Sequence, residues 1–177
     1  MRTTRWPEAC RSTWPGDFDS ISPAGLEALE RAGTRIERHP PTKDATDLDL
    51  ALGAAVALAP RRILVVGGAG GRLDHLLGEL SLLASDVYAE IEVDALVGRA
   101  TINVVRRERV LAGETGELIS LLPLHGPAVG VTTEGLVYAL RGETLLPGSS
   151  RGISNVFAEP EARISLGSGV LLAVRPG

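Results

Sequence analysis

Two aspartates two residues apart, Asp17 and Asp19 in Gly16-Asp17-Phe18-Asp19-Ser20, lead the residues suited to chemistry. In an extended segment, residues i and i+2 point to the same side. The pair then offers two hard oxygen donors of the kind that hold Mg²⁺, the usual companion of nucleotide phosphates. Asp-x-Asp also occurs in ordinary turns, so its weight depends on what accompanies it. Lys43-Asp44-Ala45-Thr46-Asp47-Leu48-Asp49 sets three carboxylates at a helix start. Either Asp47 caps the helix while Asp44 and Asp49 favour its positive end, or Asp47 joins Asp17 and Asp19 around Mg²⁺ and Lys43 reaches a phosphate oxygen.

A third cluster, Gly67-Gly68-Ala69-Gly70-Gly71-Arg72-Leu73-Asp74-His75, follows an apolar strand and opens a helix. Glycines let the backbone approach a phosphate, and a helix N-terminus attracts the anion. Arg72 adds a bidentate donor. The spacing matches neither the dinucleotide fingerprint nor a P-loop. The plainer alternative is a turn with Asp74 as N-cap. His75 reads as a hydrogen-bonded structural residue rather than a zinc ligand, because the other histidines, His39 and His125, are far off in sequence. A last cluster, Gly148-Ser149-Ser150-Arg151-Gly152-Ile153-Ser154-Asn155, is either a turn feeding a strand or a set of hydrogen-bonding groups for a neutral polar heterocycle.

The elements that must position these residues change character along the chain. Residues 1–15 show no period and read as an irregular arm. Ser22-Pro23 supplies an N-cap and an N1 proline, Gly33 a C-terminal stop, and residues 35–39 a short strand. A helix over 48–58, a strand over 63–66, a helix over 74–84 and a strand over 91–97 predict a parallel α/β sheet, with 63–66 covered on both faces. From about residue 101 short alternating segments replace helices, at 101–105, 117–122, 129–133, 136–140, 153–157, 162–166 and 170–174. That grammar predicts an antiparallel sandwich. The expected organisation is an arm (1–15), a parallel α/β domain (16–100) and an all-β sandwich domain (101–177).

Composition narrows the classes. The net charge of −4, with no basic tract, argues against nucleic-acid binding. A hydrophobic content of 44% supports a core, and 3% aromatics means that Leu, Val, Ile and Ala must fill it. Cys10 is the only cysteine, so no disulfide framework is expected. The opening residues lack the apolar region of a signal peptide, and no apolar run approaches the roughly 18 residues of a membrane span. A cytoplasmic protein is expected. Among 18 basic residues Lys43 is the one lysine, and Asn155 is one of two asparagines; both fall inside the polar clusters.

Taken together the motifs resemble the thiamine pyrophosphokinase family. The matches are Gly16-Asp17-Phe18-Asp19-Ser20-Ile21, Lys43-Asp44-Ala45-Thr46-Asp47, Gly70-Gly71-Arg72-Leu73-Asp74-His75, Ile119-Ser120-Leu121, Gly135-Leu136-Val137-Tyr138 and Gly152-Ile153-Ser154-Asn155. The resemblance implies an α/β domain followed by a β-sandwich, a homodimer with thiamine held between subunits, and transfer of pyrophosphate from ATP to the thiamine hydroxyl. It implies that Asp17, Asp19 and Asp47 are catalytic and bind Mg²⁺. It assigns Lys43, Asp44, Arg72 and Asp74 to the nucleotide, and Ser150, Ser154 and Asn155 to thiamine. The family's opening strand, ending in Asp-Gly-Gly-Ala, has no counterpart before Gly16. Glu79 and Val156 also depart from the family pattern. The alternative expectation is therefore a shortened non-catalytic relative that binds nucleotide or thiamine, or only dimerises.

Overall fold

The computed structural model describes residues 13–16, 21–38, 45–67 and 72–177. Cys10, Asp17, Asp19, His39, Lys43, Asp44 and the glycines at 68, 70 and 71 lie outside the described residues. The chain forms two compact units, Met1–Pro60 and Arg61–Gly177.

In the first unit β1 (Thr13–Gly16) pairs in parallel with β2 (Arg35–Arg38), from Thr13 opposite Arg35 to Gly16 opposite Arg38. The end of the expected arm is therefore a strand. Its four residues are too few to show a period, and it is the pairing with β2 that defines it. Between them α1 (Pro23–Arg31) begins as expected: the Ser22 hydroxyl accepts from the Gly25 N–H at 3.2 Å, and Pro23 occupies the first turn, where a missing N–H costs nothing. α2 (Asp47–Val56) is capped by Thr46, whose hydroxyl accepts from the Asp49 N–H at 3.2 Å. Asp47 thus stands exposed in the first turn instead of serving as the cap.

The second unit is mixed α/β. It contains β3 (Arg62–Gly67), α3 (Leu73–Leu83), a 3₁₀ turn at Asp86–Tyr88, β4 (Glu92–Val97), β5 (Ala100–Val105), β6 (Glu108–Ala112), β7 (Leu118–Glu134), β8 (Arg141–Leu145), β9 (Asn155–Val156), β10 (Glu161–Ser165) and β11 (Ser168–Arg175). β3 and β4 are parallel, joined through α3, as the strand–helix–strand pattern predicts. The sheet does not stop there. A two-residue turn at Gly98-Arg99 leads β4 into antiparallel β5, and the order runs β3-β4-β5-β11-β7-β10-β6, with β8 and β9 on β7. Parallel and antiparallel strands share one curled sheet, where the sequence suggested a boundary. The apolar run of β3 is not covered on both faces: Leu64 is 52% and Val66 73% exposed. Among the described residues β3 pairs only with β4, at the end of the strand order.

β7 organises the curl. Its first part pairs with β11 and β9, and its second part with β8 and β10. Pro123 and Pro127 flank the corner, where His125 and Gly126 have φ of 59° and 145°. Those residues read as a break in sequence, so the expected strands at 117–122 and 129–133 are one bent strand. Period-2 alternation turns Ile119 and Leu121 inward before the corner, and after it Ala128 and, past a register shift, Val131 also face inward. With Phe157, Leu145, Ile164 and Leu171 they build the core. Residues 136–140 form no strand of their own, and Leu136 is bridged singly to Phe157.

Two polar devices fix α3 and its strands. The buried Asp94 carboxylate accepts from Arg62 Nε (2.8 Å), Arg109 Nη2 (3.0 Å) and Asn103 Nδ2 (2.8 Å), tying β3, β4, β5 and β6 together. A charge at 2% exposure needs such partners. At the far end of α3, Arg106 Nη2 donates to the carbonyls of Ala84 (2.8 Å) and Ser85 (2.5 Å), and His125 Nε2 contacts the Ser81 carbonyl at 2.8 Å. A guanidinium at a helix C-terminus satisfies carbonyls that the helix leaves unpaired.

Candidate active site

Arg72 and Asp74 stand where β3 hands over to α3. Arg72 occupies the N-cap position with no side-chain cap bond, and Asp74 lies in the first turn, so the alternative of Asp74 as the cap does not hold. The two side chains form a bidentate pair, Nε to Oδ1 at 3.2 Å and Nη2 to Oδ2 at 2.6 Å. Both are largely solvent-exposed. The hydrogen bond from Arg72 holds the Asp74 carboxyl below the usual carboxylate range, and Asp74 raises the guanidinium in turn. The result is a preset cation beside a helix N-terminus, the arrangement that attracts phosphate. His75 is exposed on the same turn rather than tied into a buried network.

A separate cleft of about 530 Å³ is lined by Tyr138, Leu140, residues 149–154 and Asn155. Its wall is a tight turn. Gly152 has φ 96°, and a Cβ there would come 2.7 Å from the Leu121 carbonyl oxygen. The Gly152 carbonyl accepts from the Leu121 N–H at 2.8 Å, which locks the wall to β7. Ser154 adopts φ 57°, uncommon for a residue with a Cβ. Its N–H donates to the Ser120 hydroxyl at 3.1 Å. Arg151 donates from Nε and Nη2 to the two oxygens of Glu143, both at 2.8 Å. That hydrogen bond lowers the Glu143 carboxyl and raises Arg151. Ser150 and Ser154 are exposed, while Asn155 is buried and its amide is occupied by backbone groups of Tyr138 and Val156.

The structure thus joins Arg72 with Asp74, and Ser150 with Ser154 and Asn155. Asp47 belongs to the first unit and the other five to the second. Asp17, Asp19, Lys43 and Asp44 lie outside the described residues. Among the described residues no three His, Cys, Asp or Glu side chains gather as a metal site. Three participants escaped the role assignments: Tyr138, Ser120 and Glu143. Tyr138 and Ser120 sit inside recognisable motifs, but their contacts with Asn155 and Ser154 cross 17 and 34 residues. Glu143 carries no local signal at all.

Residues 8–94 match the family model "Thiamin pyrophosphokinase, catalytic domain", and residues 99–171 match "Thiamin pyrophosphokinase, vitamin B1 binding domain". Thiamine pyrophosphokinase from Bacillus subtilis is 31% identical over 162 residues, covering 90% of this chain and 76% of the relative. Thiamine pyrophosphokinase 1 from rice is 26% identical over 170 residues, which span 64% of its length. The crystal structure of the Bacillus subtilis enzyme superposes with a TM-score of 0.80 at 30% identity, over 92% of this chain and 77% of that one. The Candida albicans structure, at 16% identity and a TM-score of 0.77, shares the fold.

A mixed α/β body that joins a catalytic half to a vitamin-binding half defines a group-transferring enzyme with two substrates. The chain belongs to the thiamine pyrophosphokinase family. The family's substrates are thiamine and ATP, and nothing in the comparisons favours a non-catalytic relative.

Proposed function

We propose that this chain makes thiamine diphosphate and AMP, with the Arg72–Asp74 turn holding the triphosphate of ATP and the cleft at residues 149–155 holding thiamine. The observation that carries this reading is the position of the two sites. The ion-paired turn falls within the catalytic-domain match and the polar cleft within the vitamin B1-binding match. The functional division then falls near residue 100, as the change of sequence grammar suggests, with 16–100 acting on ATP and 101–177 on thiamine.

The thiamine hydroxyl oxygen attacks the β-phosphorus of ATP, the bond from that phosphorus to the α-phosphate bridging oxygen breaks, and AMP leaves. Lys43, Asp44, Arg72 and Asp74 bind and orient the nucleotide. Asp74 keeps the Arg72 fork aimed before substrate arrives, which reduces the ordering cost on binding. One of Asp17, Asp19 and Asp47 takes the hydroxyl proton. These three carboxylates are hard oxygen donors and fit Mg²⁺ by donor chemistry. When bound, the ion neutralises phosphate charge. Ser150 and Ser154 offer hydroxyls to the polar groups of thiamine, the Tyr138 ring offers a flat face to its aromatic rings, and Asn155 stands behind them in the same wall.

Tyr138 and Ile153, which line the cleft, and neighbouring Val137 are exposed apolar side chains. They favour a homodimer in which a second copy covers the cleft. A cytoplasmic location suits a chain with a single cysteine and ATP as substrate. No described helix is long and apolar enough to cross a membrane. The test is AMP release by purified protein given ATP, Mg²⁺ and thiamine. Release should depend on thiamine and vanish in Asp19→Ala. Thiamine-independent release, or unchanged release in the variant, contradicts the reading.

A further inference from the structure

Tyr138 sits where the chain leaves the sheet. The preceding residues still pair with the 155–157 segment: Leu136 bridges Phe157, and the Val137 N–H donates to the Val156 carbonyl at 2.9 Å. At Tyr138 a side chain replaces the backbone partner. Asn155 Oδ1 accepts from the Tyr138 N–H at 3.0 Å, and Asn155 Nδ2 donates to the Tyr138 carbonyl at 2.8 Å. The same Oδ1 accepts from the Val156 N–H at 2.9 Å. This network fixes the amide orientation, because a flipped group would set its NH₂ against two N–H donors. The amide therefore imitates a peptide unit and adds one rung where the strand has ended.

Asn155 is 2% exposed, whereas Tyr138 is 58% exposed and lines the cleft. A ligand in the cleft meets the ring and has almost no surface of Asn155 to touch. We propose that Asn155 is a positioning residue: its buried amide holds both backbone groups of Tyr138, and it acts on thiamine only through the Tyr138 ring. The proposal rests on the reading that the cleft takes thiamine.

A double-mutant cycle on the full chain tests it, with thiamine affinity measured by calorimetry and both substrates by steady-state kinetics. Tyr138→Ala should weaken thiamine about tenfold through loss of the ring face. Asn155→Ala should weaken it to a similar extent, raising KM for thiamine with kcat and KM for ATP nearly unchanged. The double variant should be no weaker than Tyr138→Ala alone. Multiplicative weakening in the double variant would show that Asn155 contacts thiamine itself and would overturn the proposal.

Backbone hydrogen exchange supplies a readout without ligand. The Tyr138 amide should exchange at least about tenfold faster in Asn155→Ala, while the Leu121 amide, bonded to Gly152, keeps its rate. Unchanged Tyr138 exchange also overturns the proposal. Should Asn155→Ala fail to fold, Asn155→Asp keeps the acceptor for the Tyr138 N–H and loses the donor to the Tyr138 carbonyl, and the affinity cycle is repeated with it, read by the same two outcomes. Absence of thiamine binding by the unaltered protein takes the proposal down with the reading beneath it. That result is distinct from multiplicative weakening, in which thiamine still binds.

Discussion

The turn at Arg72–Asp74, proposed to hold nucleotide, and the wall at 149–155, proposed to hold thiamine, are both short polar segments, but they are held in opposite ways. Arg72 and Asp74 are largely exposed, bonded to each other across two residues, and capped by no side chain. The wall at 149–155 is anchored by contacts from residues distant in sequence: Leu121 to Gly152, Ser120 to Ser154, and Tyr138 to Asn155. Its residues include two positive-φ positions, one of them a serine. Triphosphate is long, flexible and highly charged, so a helix N-terminus and aimed cations attract it without a wall of fixed shape. A small, flat heterocycle demands a wall of fixed shape, and shape comes from packing and buried hydrogen bonds. Function on the first side should therefore be separable from stability, and on the second side coupled to it.

The sharpest way to break that contrast is at Arg72. Arg72→Ala should lower kcat/KM for ATP by about 10²–10³-fold, the scale for removing one donor aimed at charge that develops in a transition state. The denaturation midpoint should stay put, because an exposed pair adds little to stability. A drop in stability of the same variant would erase the distinction.

Gly152→Ala probes the other side. The positive φ and the close Leu121 carbonyl both oppose a Cβ, so unfolding free energy should fall by about 2–4 kcal/mol, read from urea denaturation. Retained stability would mean that the wall tolerates movement. Ser120→Ala should cost about 1 kcal/mol by leaving the Ser154 N–H without its hydroxyl partner, with a few-fold rise in KM for thiamine and none for ATP.

The smallest effect expected is with pH. Asp74 and Glu143 titrate lower in the folded protein than unfolded, since each accepts from an arginine. Their contributions are complete above the unfolded value and disappear as pH falls through the folded one. Between roughly pH 5 and 8 neither pair should alter stability or KM, and change should begin only below about pH 4. Carboxyl NMR titrations of the two residues would check this. A midpoint near neutrality for either would contradict the pairing.

Legibility in sequence follows the same division. The Ser22 cap was readable because capping is local, reaching an N–H three residues on, whereas at the second helix the sequence pointed to Asp47, one residue past the real cap, Thr46. The strand–helix–strand order around Arg72 was readable for the same reason. The single sheet was not, because the composition shift near residue 100 lies inside a two-residue turn across which β4 and β5 pair. The corner in β7 was hidden by Pro123 and Pro127, which read as ends rather than bends. At the wall, Ser150, Ser154 and Asn155 were visible as polar residues in a motif. The burial of Asn155, and hence its tie to Tyr138, depends on pairing across 17 residues that no local pattern encodes.

The central claim is that the group moved from ATP to thiamine is a pyrophosphoryl unit. ATP labelled at its β-phosphorus, incubated with the protein, Mg²⁺ and thiamine, tests it most directly. The label should appear in thiamine diphosphate while AMP emerges unlabelled and in equal amount. Label recovered in ADP, with thiamine unchanged or carrying a single phosphate, would contradict it.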